Sequence, residues 1–179
     1  MKWIDRLVSI KRGEWKAELC HMFTRGLCLD LGSYNRLHEK DFIGEYLALD
    51  VKRWQKAPDV IADALYLPFK SNVFDTVAAL DLLEHVSKPS LLVKEAYRIL
   101  KQKGIFLVTT PNAFSPGSWW DFTHRSHFTR RQLVRMFENI FPKVEIYGTG
   151  HPTLKLKVLR DLANILRYVD TYIIVATKD

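Results

Sequence analysis

Leu27-Cys28-Leu29-Asp30-Leu31-Gly32-Ser33 is a short apolar run that ends in an acid, a glycine and a small polar residue. A run of this length, closed by glycine, reads as a buried strand entering a tight turn. A second run, Tyr46-Leu47-Ala48-Leu49, closes on Asp50. An acid on the first strand, a glycine turn and an acid closing the second suit a nucleoside site on a doubly wound sheet.

On either side of that turn, strands and helices alternate. Residues 3–23 are expected to be helical in two pieces broken near Gly13, with Ile4, Leu7 and Val8 on one stripe and Trp15, Leu19, Met22 and Phe23 continuing it. The first strand covers about Gly26–Leu31, a short helix or turn Arg36–Asp41, and the second strand Tyr46–Asp50. Pro58 precedes a third short strand, Asp59–Ala62, that ends at Asp63. Asn72–Leu80 is the fourth. Pro89–Lys101 is an amphipathic helix, with Pro89 in its first turn and Gly104 just past its end. Ile105–Thr109 is nearly all apolar, as a strand covered on both faces should be. A long loop, 110–128, leads to Thr129, the expected N-cap of a helix carrying Leu133, Val134, Met136 and Phe137. Val144–Tyr147 is a sixth strand, Leu154–Val169 a basic helix and Thr171–Thr177 the last strand. This alternation argues for a mostly parallel sheet with right-handed crossovers.

The 179 residues fit one domain, 1–179, with a helical segment over 1–24 and a core over 25–179. No apolar stretch approaches a membrane span, and charged residues interrupt the N-terminus where a signal peptide would need an apolar core. Cys20 and Cys28 are the only cysteines and read as reduced core thiols, so a cytoplasmic location is expected. The net charge is +7. Residues 1–93 hold 13 basic and 13 acidic side chains, and residues 94–179 hold 14 and 7, so the whole excess lies in the second half. A basic half suits an anionic substrate, a membrane surface or nucleic acid; solvated helix faces explain it equally well.

Asp30, Asp50 and Asp63 fall at the ends of three successive strands, where open α/β sheets bind ligands. A carboxylate closing strand two can accept two hydrogen bonds from a ribose diol, and one closing strand three can accept from an exocyclic amine. Each acid alone would be an ordinary turn residue. A dinucleotide site needs a glycine-rich turn for its pyrophosphate, and Gly32-Ser33-Tyr34-Asn35-Arg36 has a single glycine. That turn suits a ligand without phosphate.

Asp30-Leu31-Gly32-Ser33, Leu49-Asp50, Ala62 through Phe69, Val73-Phe74-Asp75-Thr76-Val77, Leu83-Glu84-His85-Val86 and Arg98-Ile99-Leu100-Lys101 through Gly104 form an ordered series. The series resembles the class I S-adenosylmethionine-dependent methyltransferases, in particular the small single-domain, type 11-like ones, over roughly residues 26–150. The resemblance implies an α/β, Rossmann-like doubly wound sheet of seven strands, order 3-2-1-4-5-7-6, with strand 7 antiparallel. It implies S-adenosyl-L-methionine as cofactor. Asp30 and Gly32 would line its methionine side, Asp50 would take the ribose hydroxyls, Asp63 would take the adenine amine with Ala64 and Leu65 beside the ring, and Asp81 would lie near the amino-acid part or the methyl group; Ser33 and Val51 are expected cofactor contacts as well. Tyr34 and Arg36 depart from the family's pattern, which carries further glycines there.

In this fold the loop after strand five shapes the acceptor pocket, which makes Trp119, Trp120, Asp121, His124, Arg125 and His127 the expected acceptor-binding residues. His124, His127 and His85 are the candidate bases; anchoring the loop to the sheet is the structural alternative for the same string. Asp121, His124 and His127 mimic a metal facial triad, but their spacing on a loop does not favour one, and no metal is expected. The expected reaction is methyl transfer to a small-molecule, lipid or sugar-type acceptor. Two alternatives stand beside it: a nucleic-acid methyltransferase using the basic half, and a non-catalytic binding module, suggested by Tyr34 and Arg36.

Overall fold

The computed structural model describes residues 15–149 and 169–179. The helical piece expected before residue 15, and the helix expected over Leu154–Val169 as far as residue 168, lie outside the described residues. Helix α1 (Trp15–Phe23) leads into β1 (Leu27–Leu31), a 3-10 turn (Glu39–Asp41), β2 (Glu45–Asp50), β3 (Val60–Ile61) and β4 (Phe74–Leu80). Then follow α2 (Pro89–Ile99), β5 (Leu100–Pro111), α3 (Pro116–Trp120), α4 (Arg130–Glu138), β6 (Lys143–Thr149) and β7 (Thr171–Thr177). The seven strands lie in the order β3-β2-β1-β4-β5-β7-β6. β1 runs parallel to β2 and β4, and β7 is antiparallel to both β5 and β6. Fold class and strand order therefore match the sequence reading.

Alternation along each strand divides the core in two. Leu29 and Leu31 of β1, Val77 and Ala79 of β4, Phe106 and Val108 of β5 and Ile174 and Ala176 of β7 pack under Leu92, Val93 and Ala96 of α2 and Leu133 and Phe137 of α4. Cys28, Ala78, Ile105, Leu107, Ile173 and Val175 face the other way, against Leu19 and Cys20 of α1. Both thiols are free and buried, and burial raises the pKa of each, so neither is a nucleophile.

Several strand ends shift by one or two residues, and two departures from the sequence reading are larger. Helix α2 stops at Ile99 and the chain enters β5 at once. The amides of Asn72 and Val73 capture the carbonyls of Arg98 and Ile99 at 3.1 and 2.7 Å, and Leu100 pairs with Phe74. The strand edge thus takes over the backbone groups that another helical turn would need. The second is α3, a short helix inside the loop. Thr129 caps α4 as expected, in a reciprocal pair with Gln132.

Candidate functional site

The parallel strands β1, β2 and β4 carry their C-terminal ends to one edge, where the chain breaks into turns. Gly32 follows β1 with φ +69°, and a Cβ there would meet Leu82 Cδ1 at 2.8 Å. Only glycine fits that approach without strain. The next turn residues, Tyr34 and Arg36, take φ of 50° and 57°. They adopt the left-handed backbone that glycine adopts freely, so the turn keeps its shape without its glycines.

Side-chain contacts support that strain. The amide of Tyr34 donates to Asp50 Oδ2 at 2.9 Å, and its ring lies 4.5 Å from that of Trp54. Arg36 donates to Asp59 at 2.9 Å and Glu39 at 2.8 Å, and its guanidinium stands over the Tyr46 ring.

A cavity of about 750 Å³ opens beyond these strand ends, within the size range of small-molecule sites. Gly32, Asp50, Val51, Asp63, Ala64, Leu65 and Asp81 line it, as do His85, Asp121 and Arg125. Each Asp50 oxygen accepts one backbone amide, Oδ2 from Tyr34 and Oδ1 from Lys52 at 3.1 Å. A carboxylate oxygen has two lone-pair directions, so each keeps one for a ligand. Asp63 is exposed, and its Oδ1 accepts the Leu65 amide at 2.9 Å, which fixes the carboxylate beside Ala64 and Leu65. Trp54 also lines the cavity, and its Nε1 is buried without an acceptor among the described residues.

Asp81 has φ 54°, its Oδ1 accepts the Thr109 hydroxyl at 2.6 Å, and Lys16 of α1 forms an ion pair with it. Helix α1 thus reaches the same end of the sheet.

Asp30 and Ser33 are not among the cavity-lining residues. Asp30 shares a strand face with Cys28, two residues away, and so points beneath α1. It is 3% exposed, accepts the Tyr46 hydroxyl at 2.8 Å, and burial pushes its pKa up to about 7. Ser33 is buried, with no partner for its hydroxyl among the described residues.

The acceptor-side residues separate. Asp121 and Arg125 line the cavity together with Thr123. His127 instead stacks on Trp119 with ring centroids 3.8 Å apart, and its Nδ1 lies 2.8 Å from the Ser118 hydroxyl. Trp120 and Phe122 are 79% and 100% exposed. The side chain of His124 is nearly buried, with Nδ1 2.8 Å from the Ser118 carbonyl. The histidines therefore divide between loop anchoring and the cavity, with His85 alone of the three among the lining residues.

Sequence reasoning read Glu84 only as part of a motif. In the structure it fastens the loop, because the amides of Arg125 and Ser126 donate to its carbonyl at 2.8 and 3.1 Å. Its carboxylate is buried, accepts the Thr110 hydroxyl at 2.9 Å, and is pushed by desolvation to a pKa of about 8, with Asp81 adding to the rise. The signal was an acid within Asp81-Leu82-Leu83-Glu84-His85, three residues past a strand-end acid.

A family model described as a methyltransferase domain matches residues 25–108. An uncharacterised protein of Methanocaldococcus jannaschii is 42% identical over 77 residues, which cover 41% of this chain and 34% of that protein. The chain thus spans about a third of the length of the curated relative it matches. A SAM-dependent methyltransferase from Archaeoglobus fulgidus superposes with a TM-score of 0.69 at 18% identity, covering 91% of this chain and 90% of that one. A phosphoethanolamine N-methyltransferase 2 of Haemonchus contortus, in complex with phosphomonomethylethanolamine and S-adenosylhomocysteine, gives 0.66 at 18% identity, over 96% and 54% of the two chains. At these identities the structural likeness establishes the fold.

Proposed function

We propose that the chain, whose residues 25–108 match a methyltransferase-domain model, transfers a methyl group from S-adenosylmethionine to a small-molecule, lipid or sugar-type acceptor. The observation that carries this reading is the placing of three strand-end carboxylates, Asp50, Asp63 and Asp81, around one cavity. When bound, the cofactor supplies a sulfonium methyl group that an acceptor lone pair can displace in line.

The chain's own residues fit that cofactor. Asp50 keeps one lone pair on each oxygen for the two ribose hydroxyls. Asp63 stands ready to accept from the adenine amine, with Ala64 and Leu65 as apolar walls. Asp81 offers a negative charge to the cofactor's amino group, and Lys16, now paired with Asp81, offers a positive one to its carboxylate. Gly32 lets the backbone approach closely. Trp54, whose buried indole N–H has no acceptor among the described residues, forms part of the same wall.

Asp121, Thr123 and Arg125 line the same cavity and would meet the acceptor. Reactivity resides in the sulfonium leaving group, so holding the acceptor lone pair in line with the methyl carbon supplies much of the catalysis. A firmly seated loop does this, and Glu84 seats it through two backbone hydrogen bonds.

Calorimetric titration with S-adenosylmethionine and S-adenosylhomocysteine tests the proposal. One molar equivalent of each should bind between micromolar and millimolar concentrations. If neither binds at millimolar concentration, the methyl-transfer reading falls.

A further inference from the structure

The turn after β4 and the loop after β5 meet at a cluster that the methyl-transfer reading does not require. Glu84, His85 and His124 each bring one ligand atom to within 4.8 Å of the other two. Glu84 is 1% exposed; its Oε2 holds the Thr110 hydroxyl, and its Oε1 is buried with no hydrogen-bond partner among the described residues. A buried carboxyl group with an unpartnered oxygen is unfavourable, and a proton or a cation beside it relieves that cost.

The histidines are already set for that role. Nδ1 of His124 lies 2.8 Å from the Ser118 carbonyl, and Nδ1 of His85 lies 3.2 Å from the Thr123 carbonyl. The Thr123 hydroxyl also lies 3.1 Å from His85 Nδ1, but it donates to Asp121 Oδ1 at 2.6 Å and so presents an acceptor to the ring. A carbonyl only accepts, so each neutral ring is assigned its proton on Nδ1 and leaves the Nε2 lone pair free. Metal-ligating histidines are held in this way, with the second nitrogen fixed by a carbonyl or carboxylate. The two rings lie 4.8 Å apart at 70°. Asp121 Oδ2 stands 3.7 Å from His124 Nε2, too far for a hydrogen bond.

From these contacts we infer that Glu84, His85 and His124 form a binding site for a divalent first-row transition metal ion at the acceptor end of the cleft. Two imidazoles and one carboxylate suit Zn²⁺ and its neighbours, whereas Mg²⁺ and Ca²⁺ prefer all-oxygen shells. Ligands about 2.1 Å from such an ion stand about 3–3.5 Å from one another, so the cluster closes by roughly 1 Å on binding. His85 is partly exposed and lines the cavity, which leaves room for that movement. Three protein ligands leave a coordination position open, and an acceptor oxygen in the cavity can fill it. The role toward the acceptor rests on the methyl-transfer reading, but metal binding itself does not. The cluster differs from the Asp121, His124 and His127 set suggested by loop spacing, because His127 is turned onto Trp119 and Ser118.

The test is titration of the metal-stripped full chain with Zn²⁺ and, separately, Mg²⁺ by calorimetry, and with Co²⁺ by visible absorption. One equivalent of Zn²⁺ should bind at least 100-fold more tightly than Mg²⁺, and Co²⁺ should give ligand-field bands. His85→Ala and His124→Ala should each weaken Zn²⁺ at least tenfold, whereas His127→Ala should leave it unchanged. Glu84→Gln touches a buried group, so its melting temperature is followed and the histidine variants decide the assignment. Three results would overturn it: no saturable Zn²⁺ binding below 1 mM, binding that survives the double histidine variant, or an equal loss in His127→Ala. S-adenosylhomocysteine is titrated in parallel. If it binds and Zn²⁺ does not, this inference alone fails. If Zn²⁺ binds and the nucleoside does not, the methyl-transfer reading fails and the metal site stands.

Discussion

The amide of Tyr34 donates to Asp50 Oδ2 at 2.9 Å, tying the turn after β1 to the end of β2. Tyr34 holds this position with φ 50°, a conformation costly for a bulky residue. Its ring recovers part of the cost by packing 4.5 Å from Trp54. Replacement by glycine should relieve the backbone and lose the ring contact, leaving stability within about 1 kcal/mol of the original. Tyr34→Val loses the ring and keeps the strain, and should cost about 1–3 kcal/mol. Urea denaturation of the two variants checks the order; equal stabilities would show that the turn is not strained at Tyr34.

Asp50→Ala should weaken S-adenosylhomocysteine by roughly tenfold to a hundredfold, since it would remove the two charge-assisted hydrogen bonds proposed to the ribose. Asp63→Ala should cost less, because Asp63 is exposed and would make one such contact. Calorimetry on both variants measures the difference. Unchanged affinity in Asp50→Ala would mean that the nucleoside lies elsewhere even if the fold is as described.

Asp30 makes stability depend on pH. Its folded pKa of about 7 lies above the ordinary 3.8, and burial is the main cause. The folded state therefore holds the proton more tightly than the unfolded chain. The stabilisation is fully present below about pH 4 and is lost as pH rises through 7, by an amount on the order of 4 kcal/mol. Asp30→Asn keeps an acceptor for the Tyr46 hydroxyl and carries no charge. It should be more stable than the parent at pH 8, with the gap closing below pH 5. Urea midpoints at four pH values check this, and parallel curves for the two proteins would contradict it.

Thr129 and Gln132 satisfy each other's backbone groups at the start of α4, and Leu133 and Phe137 carry that helix into the core. Thr129→Ala should cost about 1 kcal/mol, read as a fall of about 2–4 °C in melting temperature. A cost below 0.3 kcal/mol would mean that the packing of α4, not its cap, sets the helix start.

Much of this was readable in the amino-acid sequence because it rests on period and punctuation. Alternating apolar residues and the runs closed by Gly32, Asp50 and Asp63 locate β1, β2 and β3, and Thr129 announces α4. The β5 start was harder, because Leu100 and Lys101 continue a helical apolar pattern while pairing with Phe74 ends the helix. Side-chain direction within the site was harder still. Asp30 lies one residue before Leu31 and two before Gly32, yet strand alternation turns it beneath α1. His124 and His127 look equivalent as letters, but stacking on Trp119 removes one of them. The importance of Glu84 depends on Thr110 and on two loop amides more than forty residues away, contacts that no local pattern encodes. No helix among the described residues is long and apolar enough to cross a membrane.

Whether a nucleoside lies between Gly32, Asp50 and Asp63 is decided by a crystal structure of the chain soaked with S-adenosylhomocysteine. The expected density places both ribose hydroxyls within hydrogen-bond distance of Asp50 and the adenine amine on Asp63, beside Ala64 and Leu65. Nucleoside density elsewhere on the molecule, or a cavity that stays empty at saturating ligand, would refute that placement.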